Sequence, residues 1–372
     1  AYVDPKFKMP QVWRSNLNVD IQLPYDFMLS VGAMYTRDIY NVAQINMNEA
    51  EPTGVYNEQP DRIYWASKKY EYNDYTNGKN VVVKLSNGED KGYQYSFNAI
   101  LTKKYDFGFT GSIGYTYTMA KDLTANPGSA PNSAWQNNVA VNSLNDPGVS
   151  YSLFSTPHRI IANASYEINY AKCLKTTFSL FYSGYHTGRY SYTYYNDMNG
   201  DGNYSDLIYV PNSQDEMTFV DITDKSGAIT YSAVDQAKDF WDFVNNDSYL
   251  KDRKGKYVER NGSLTPWINR FDFKIAQDFY ATLGGRKYGI QVSLDMLNVG
   301  NMINSKWGAY QSCGLKSYDN VQLLKTASKV GEPLTYQINA NSREAFKERS
   351  SWQYTNTIGS AWSMQLGVKV TF

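Results

Sequence analysis

Net charge is absent: 36 Lys and Arg balance 36 Asp and Glu over 372 residues. A nucleic-acid partner leaves a basic excess or stripe, so charge gives no case for nucleic acid or an anionic surface. Histidine is nearly absent, and His158 and His186 are too few for a histidine-based metal site. No catalytic carboxylate pair, nucleophile elbow, Walker loop or zinc spacing is found either, so the chain reads as non-enzymatic. Cysteine is limited to Cys173 and Cys313, which the strand order below puts on opposite sides of a membrane, so two free thiols are expected. With a mean hydropathy of −0.55, the chain also lacks any apolar run of about 18 residues, which excludes membrane-spanning helices. It does not exclude a membrane β-barrel, in which half of each strand is polar and long loops dilute the rest. No signal peptide opens the chain, so Ala1 reads as the start of a mature protein or a fragment.

Aromatics are abundant, at 16% of the chain with 34 Tyr, a side chain with an apolar ring and a wet hydroxyl that suits interfaces as well as sugar or peptide binding. The last residues alternate without error. Trp362, Met364, Leu366, Val368, Val370 and Phe372 are apolar, while Ser363, Gln365, Gly367, Lys369 and Thr371 between them are not. Such a strand shows one face to something apolar and the other to water. The same period of two appears in eight further segments. Leu17 to Leu23 and Phe27 to Tyr35 flank Pro24-Tyr25-Asp26; Tyr93 to Leu101 and Phe109 to Tyr117 flank a turn near Asp106. Ile160 to Ile168 and Phe178 to Tyr182 flank Lys172; Phe271 to Phe279 and Tyr288 to Met296 flank Gly284-Gly285. Each has about the length that crosses a bilayer at a tilt.

Their connections alternate in length: short turns near residues 24, 106, 171 and 284, and long polar segments at about 41–90, 122–156, 188–265 and 300–358. Outer-membrane barrels pair short periplasmic turns with long extracellular loops in this way, whereas a soluble sandwich or propeller gives no reason for the asymmetry. With the C-terminus in the periplasm, the first strand must descend from outside. A complete bacterial barrel has an even strand number and both ends in the periplasm, so nine strands are expected to be the distal part of one.

Several segments resemble the TonB-dependent transporters of Bacteroidota, close to the SusC-like and Oar-like groups. They are Leu294-Asp295-Met296-Leu297-Asn298-Val299-Gly300-Asn301-Met302-Ile303-Asn304 with Lys306-Trp307-Gly308; Thr156-Pro157-His158-Arg159; Gly188-Arg189-Tyr190-Ser191-Tyr192-Thr193-Tyr194; Asn199-Gly200-Asp201-Gly202; and Asp206-Leu207-Ile208-Tyr209-Val210-Pro211. Pro266-Trp267 and Gln277-Asp278-Phe279 add to the likeness, which spans nearly the whole chain. The polar Gln365, then Gly367, Val370 and the terminal Phe372, resemble the C-terminal barrel insertion signal. The resemblance implies the all-β, C-terminal part of an antiparallel transmembrane barrel of about 22 strands filled by an N-terminal plug. It also implies the outer membrane of a Gram-negative bacterium, contact with its lipid and lipopolysaccharide, a TonB partner acting through the plug, and in one group a SusD-like surface lipoprotein. The implied function is active uptake of a large nutrient, glycan or peptide. A non-transporting structural or adhesion barrel, or the anchor of a surface complex, stays open, as does a soluble glycan-binding β-protein.

One metal pattern stands out. Asp197, Asn199, Asp201 and Asn203 occupy alternate positions with Gly202 at the sixth, as in the opening of a calcium loop. Position 12 is Ile208 instead of Glu, so Asp206 at position 10 would have to close the site. The same composition suits a plain Asn/Asp/Gly turn held by side-chain-to-backbone bonds. Either way the role is to stiffen an extracellular loop. In the same segment Ser232 and Asp235 predict a capped helix with Val234, Ala237, Phe240, Trp241 and Val244 on one face. Arg270, Asp272, Lys274 and Asp278 share the polar, lumen-facing parity of their strand and read as a salt-bridge ladder or, less simply, a ligand site.

Overall fold

The computed structural model describes residues 1–72, 80–126, 128–204, 206–313, 316–317, 320–339, 346, 352–355 and 357–372, without the side chains of 283, 287, 316 and 317. It is an all-β protein with few helices. Nine long strands form one antiparallel sheet: β1 (Gln11–Leu23), β2 (Phe27–Tyr40), β3 (Tyr93–Lys104), β4 (Phe109–Asp122), β5 (His158–Tyr170), β6 (Leu174–His186), β7 (Trp267–Leu283), β8 (Arg286–Leu297) and β9 (Ser363–Thr371). Each pairs with its neighbours in sequence, a strict up-and-down order. The four short connections lie where the turn residues put them. At Gly284-Gly285 both φ angles are positive, +60° and +80°, the hand that matches a two-residue hairpin to strand twist and that glycine adopts at least cost.

Register makes the alternation two-dimensional. Ile21, Leu29, Leu101, Ile113, Ala162, Tyr182 and Phe271 are successive partners across seven strands, and Phe109, Tyr166, Phe178, Ile275, Leu294 and Leu366 continue the same face to β9. That face is apolar yet uncovered; Ile113 is 54% exposed and Leu366 72%. The opposite face carries Ser165, Ser179, Lys274, Asp295 and Gln365 in one row. Among the described residues β1 and β9 do not pair, so the sheet is open and no closed barrel is formed.

Apart from Ile268 and Ala276 of β7, the buried core lies outside the sheet. Both hydrophobic clusters among the described residues consist of residues from the long connections. Expected as polar loops, these segments instead pack on one another as a cap at one end of the strands. Arg189–Tyr194, buried at all six positions, pairs in parallel with Asn320–Thr326, which pairs in turn with Thr335–Ile338. Helix α1 (Pro131–Gln136) starts on a proline and buries Trp135 in the smaller cluster. Helix α2 (Ala233–Asn246) is capped by Ser232, whose Oγ accepts from the Asp235 N–H at 3.1 Å, as its spacing predicts. Its buried face is Gln236, Phe240, Phe243 and Val244, while Val234 is 76% exposed: the apolar stripe is one turn shorter than expected and packs on neighbouring loops. Each buried Phe there contributes about 1.5–3 kcal/mol by leaving water. Neither cysteine is in a disulfide; Cys173 is exposed in the β5–β6 turn and Cys313 buried in the cap, at opposite ends of the strands.

Candidate cation site and the polar face of the sheet

Inside the cap, the chain enters residue 197 from the buried strand Arg189–Tyr194 and leaves along Tyr209–Val210. The reversal needs left-handed backbone at Gly200 (φ +83°) and Gly202 (φ +95°), which glycine supplies. Asp197 closes it, its Oδ1 accepting from the Gly200 N–H at 2.8 Å and its Oδ2 from the Gly202 N–H at 2.9 Å. Asn199 Oδ1 accepts from Asp201 N–H at 3.0 Å, Asp201 Oδ1 from Asn203 N–H at 2.7 Å, and Asp206 Oδ2 from Met198 N–H at 3.0 Å. The five residues singled out by spacing therefore do meet in one turn. Asn199, Asp201, Asn203 and Asp206 are all buried, and the amide nitrogens of Asn199 and Asn203 have no partner.

Sequence spacing missed Arg62. Its guanidinium is wholly buried, lies 3.6 Å from Asp206, and donates to the carbonyls of Val141 and Leu207 and to Gln59 Oε1, the last at 3.1 Å. Nothing local to Arg62 marks it, because Asp206, Val141 and Leu207 come from other connections. Burial pushes the Asp206 carboxyl up to about 7 against the pull of Arg62. Burial likewise lifts Asp201 well above the usual carboxylate range, with the charges of Asp206 and Asp197 adding to it, and raises Asp197. Among the described residues no three His, Cys, Asp or Glu side chains form a metal cage by themselves. The turn offers a mixture of carboxylate and amide oxygens, the donor class that suits calcium.

The charged residues of β7 do not pair with one another. Lys274 reaches Asp295 of β8 at 2.8 Å, and Asp278 lies 3.6 Å from Lys175 of β6 and accepts from Gln291 at 2.8 Å. Arg270 donates to the Tyr310 hydroxyl at 3.2 Å, and Asp272 Oδ1 accepts from the Asn298 N–H at 2.7 Å. In place of the expected ladder, Lys274 and Asp278 make cross-strand pairs, because neighbours on an antiparallel sheet lie across strands, while Arg270 and Asp272 bond to residues beyond the end of β8. Lys274, Asp272, Asp295, Ser165 and Ser179 line an open hollow of about 350 Å³ on this face. Gln365 and Gly367 continue the polar face opposite Asp295 and Ser293, Val370 sits on the apolar face opposite Ile290, and Phe372 follows the strand almost fully exposed. No protein-family profile, curated protein or solved structure matches the chain.

Proposed function

We propose that the nine strands are a section of wall in a transmembrane barrel of a Gram-negative outer membrane, and that the barrel is a TonB-dependent importer of a large nutrient, glycan or peptide. The observation that carries the membrane reading is the apolar face, continuous in register over the sheet and left uncovered, backed by a polar face. Lipid is the solvent that such a face requires over so wide an area. On this reading the short turns are periplasmic, the cap is extracellular, the free edges of β1 and β9 pair with further strands, and the polar hollow borders the lumen or its plug. TonB and a surface lipoprotein are the partners proposed with it, and transport rests on the family resemblance.

The compactness of the cap favours a second reading, a surface platform without transport, since a loop cluster with its own hydrophobic core can hold a partner rigidly. A plug and a TonB-contacting segment in the same polypeptide support transport; a polypeptide without them supports the platform. Membrane location and orientation are tested with an impermeant thiol reagent on intact cells. Cys173 should stay unlabelled until the outer membrane is permeabilised, whereas an Ile358→Cys variant, 95% exposed in the cap, should label at once. Extraction into buffer without detergent would overturn the membrane reading.

A further inference from the structure

We infer that the turn of residues 197–206 binds a divalent cation of calcium's class and that the ion fastens the four long connections into one cap. The inference does not depend on the membrane reading.

Charge comes first. The carboxylates of Asp197, Asp201 and Asp206 meet in this turn, the last two buried, and among the described residues the cation in ion-pair reach is Arg62, 3.6 Å from Asp206. Uncompensated buried charge is costly, and one divalent ion removes the deficit. Independently of the acids, the Asn203 side chain is 5% exposed and its amide nitrogen is unpartnered, and the wholly buried Asn199 amide nitrogen is also unpartnered. Turning the Asn203 amide over breaks no hydrogen bond among the described residues and exchanges its buried, unpartnered nitrogen for an oxygen. The donors are then carboxylate and amide oxygens from alternate residues of an irregular turn. Calcium accepts such a set with six to eight ligands, whereas magnesium demands a near-ideal octahedron.

The position of the turn gives the ion its effect. Trp65 N–H donates to Asn199 O at 2.7 Å from the first connection, and Leu207 N–H donates to Ala140 O at 2.9 Å in the second. Tyr195 N–H donates to Leu324 O at 2.7 Å in the fourth, and the turn itself belongs to the third. An ion held only by the closed cap favours closure roughly 100-fold when present at about 100 times its Kd.

Terbium is the probe, because Trp65 touches the turn and sensitises a bound lanthanide. Purified full-length protein should give saturable terbium luminescence under tryptophan excitation, displaced by calcium and not by equal magnesium. Asp201→Asn should abolish it. Trp65→Phe should dim the luminescence and leave calcium binding in the calorimeter. Calcium should also slow proteolysis of the cap relative to chelator, and not do so in Asp201→Asn. Absence of saturable calcium heat together with calcium-independent proteolysis of the wild type would overturn the inference, and this pair of measurements decides alone if the variant misfolds. Equal displacement by magnesium would overturn the assignment to calcium.

Discussion

Leu180 is the middle residue of β6, on the apolar face between Ala164 and Phe273; Ser179 beside it faces the other way between Ser165 and Lys274. If that apolar face meets lipid, Leu180→Arg puts a charge near the bilayer midplane at a cost of about 2–4 kcal/mol. At about 1.4 kcal/mol per tenfold, the folded-to-unfolded ratio falls roughly 30- to 700-fold. Ser179→Arg adds the same charge one residue away, on the wet face and within reach of Asp295 by way of Lys274's row, and should change stability by less than about 1 kcal/mol. The assay is urea-dependent refolding into lipid vesicles, read by the folded band on an unheated gel. In water the result differs: Leu180 is 42% exposed, and arginine there meets solvent at little cost. Equal midpoints for the two variants would refute the lipid-facing assignment.

Arg62→Met should destabilise the cap by about 3–5 kcal/mol, because it leaves Asp206 buried without its cation and two carbonyls without a donor; thermal unfolding followed by tyrosine fluorescence checks this. Ser232→Ala should cost about 1 kcal/mol through loss of the α2 cap, with Ser232→Asp restoring most of it. Alkali should loosen the cap. Burial raises the Tyr190 hydroxyl from 10 to about 12, so its contribution is fully present below pH 10, where the unfolded tyrosine is still neutral, and is lost as pH rises toward 12. That one side chain contributes about 3 kcal/mol at 1.4 kcal/mol per unit, and Tyr190→Phe should flatten stability measured between pH 10 and 12.

The sheet was legible because its signal is local. A strand needs only its own parity, and Leu366, Val368 and Val370 announce a face whatever they later meet. Turn chemistry at Gly284-Gly285 and the length asymmetry of the connections then gave strand order. The cap was not legible. Tyr190, Tyr192 and Tyr194 look like an exposed face with Ser191 and Thr193 opposite, yet both parities are buried, because the parallel partner Asn320–Thr326 and α2 arrive from far along the chain. The acidic turn fell between: its internal spacing was visible, and Arg62 was not. The same contrast bears on stability. A cap whose Phe240, Phe243, Tyr192 and Leu323 bury one another carries its own hydrophobic stabilisation, whereas a sheet with no buried cluster among its described residues has only backbone bonds and cross-strand pairs. On the proposed membrane reading, lipid against the exposed Leu17, Ile113, Leu180 and Leu366 would supply the rest. Among the described residues, the two buried hydrophobic clusters lie in the cap and neither covers that face.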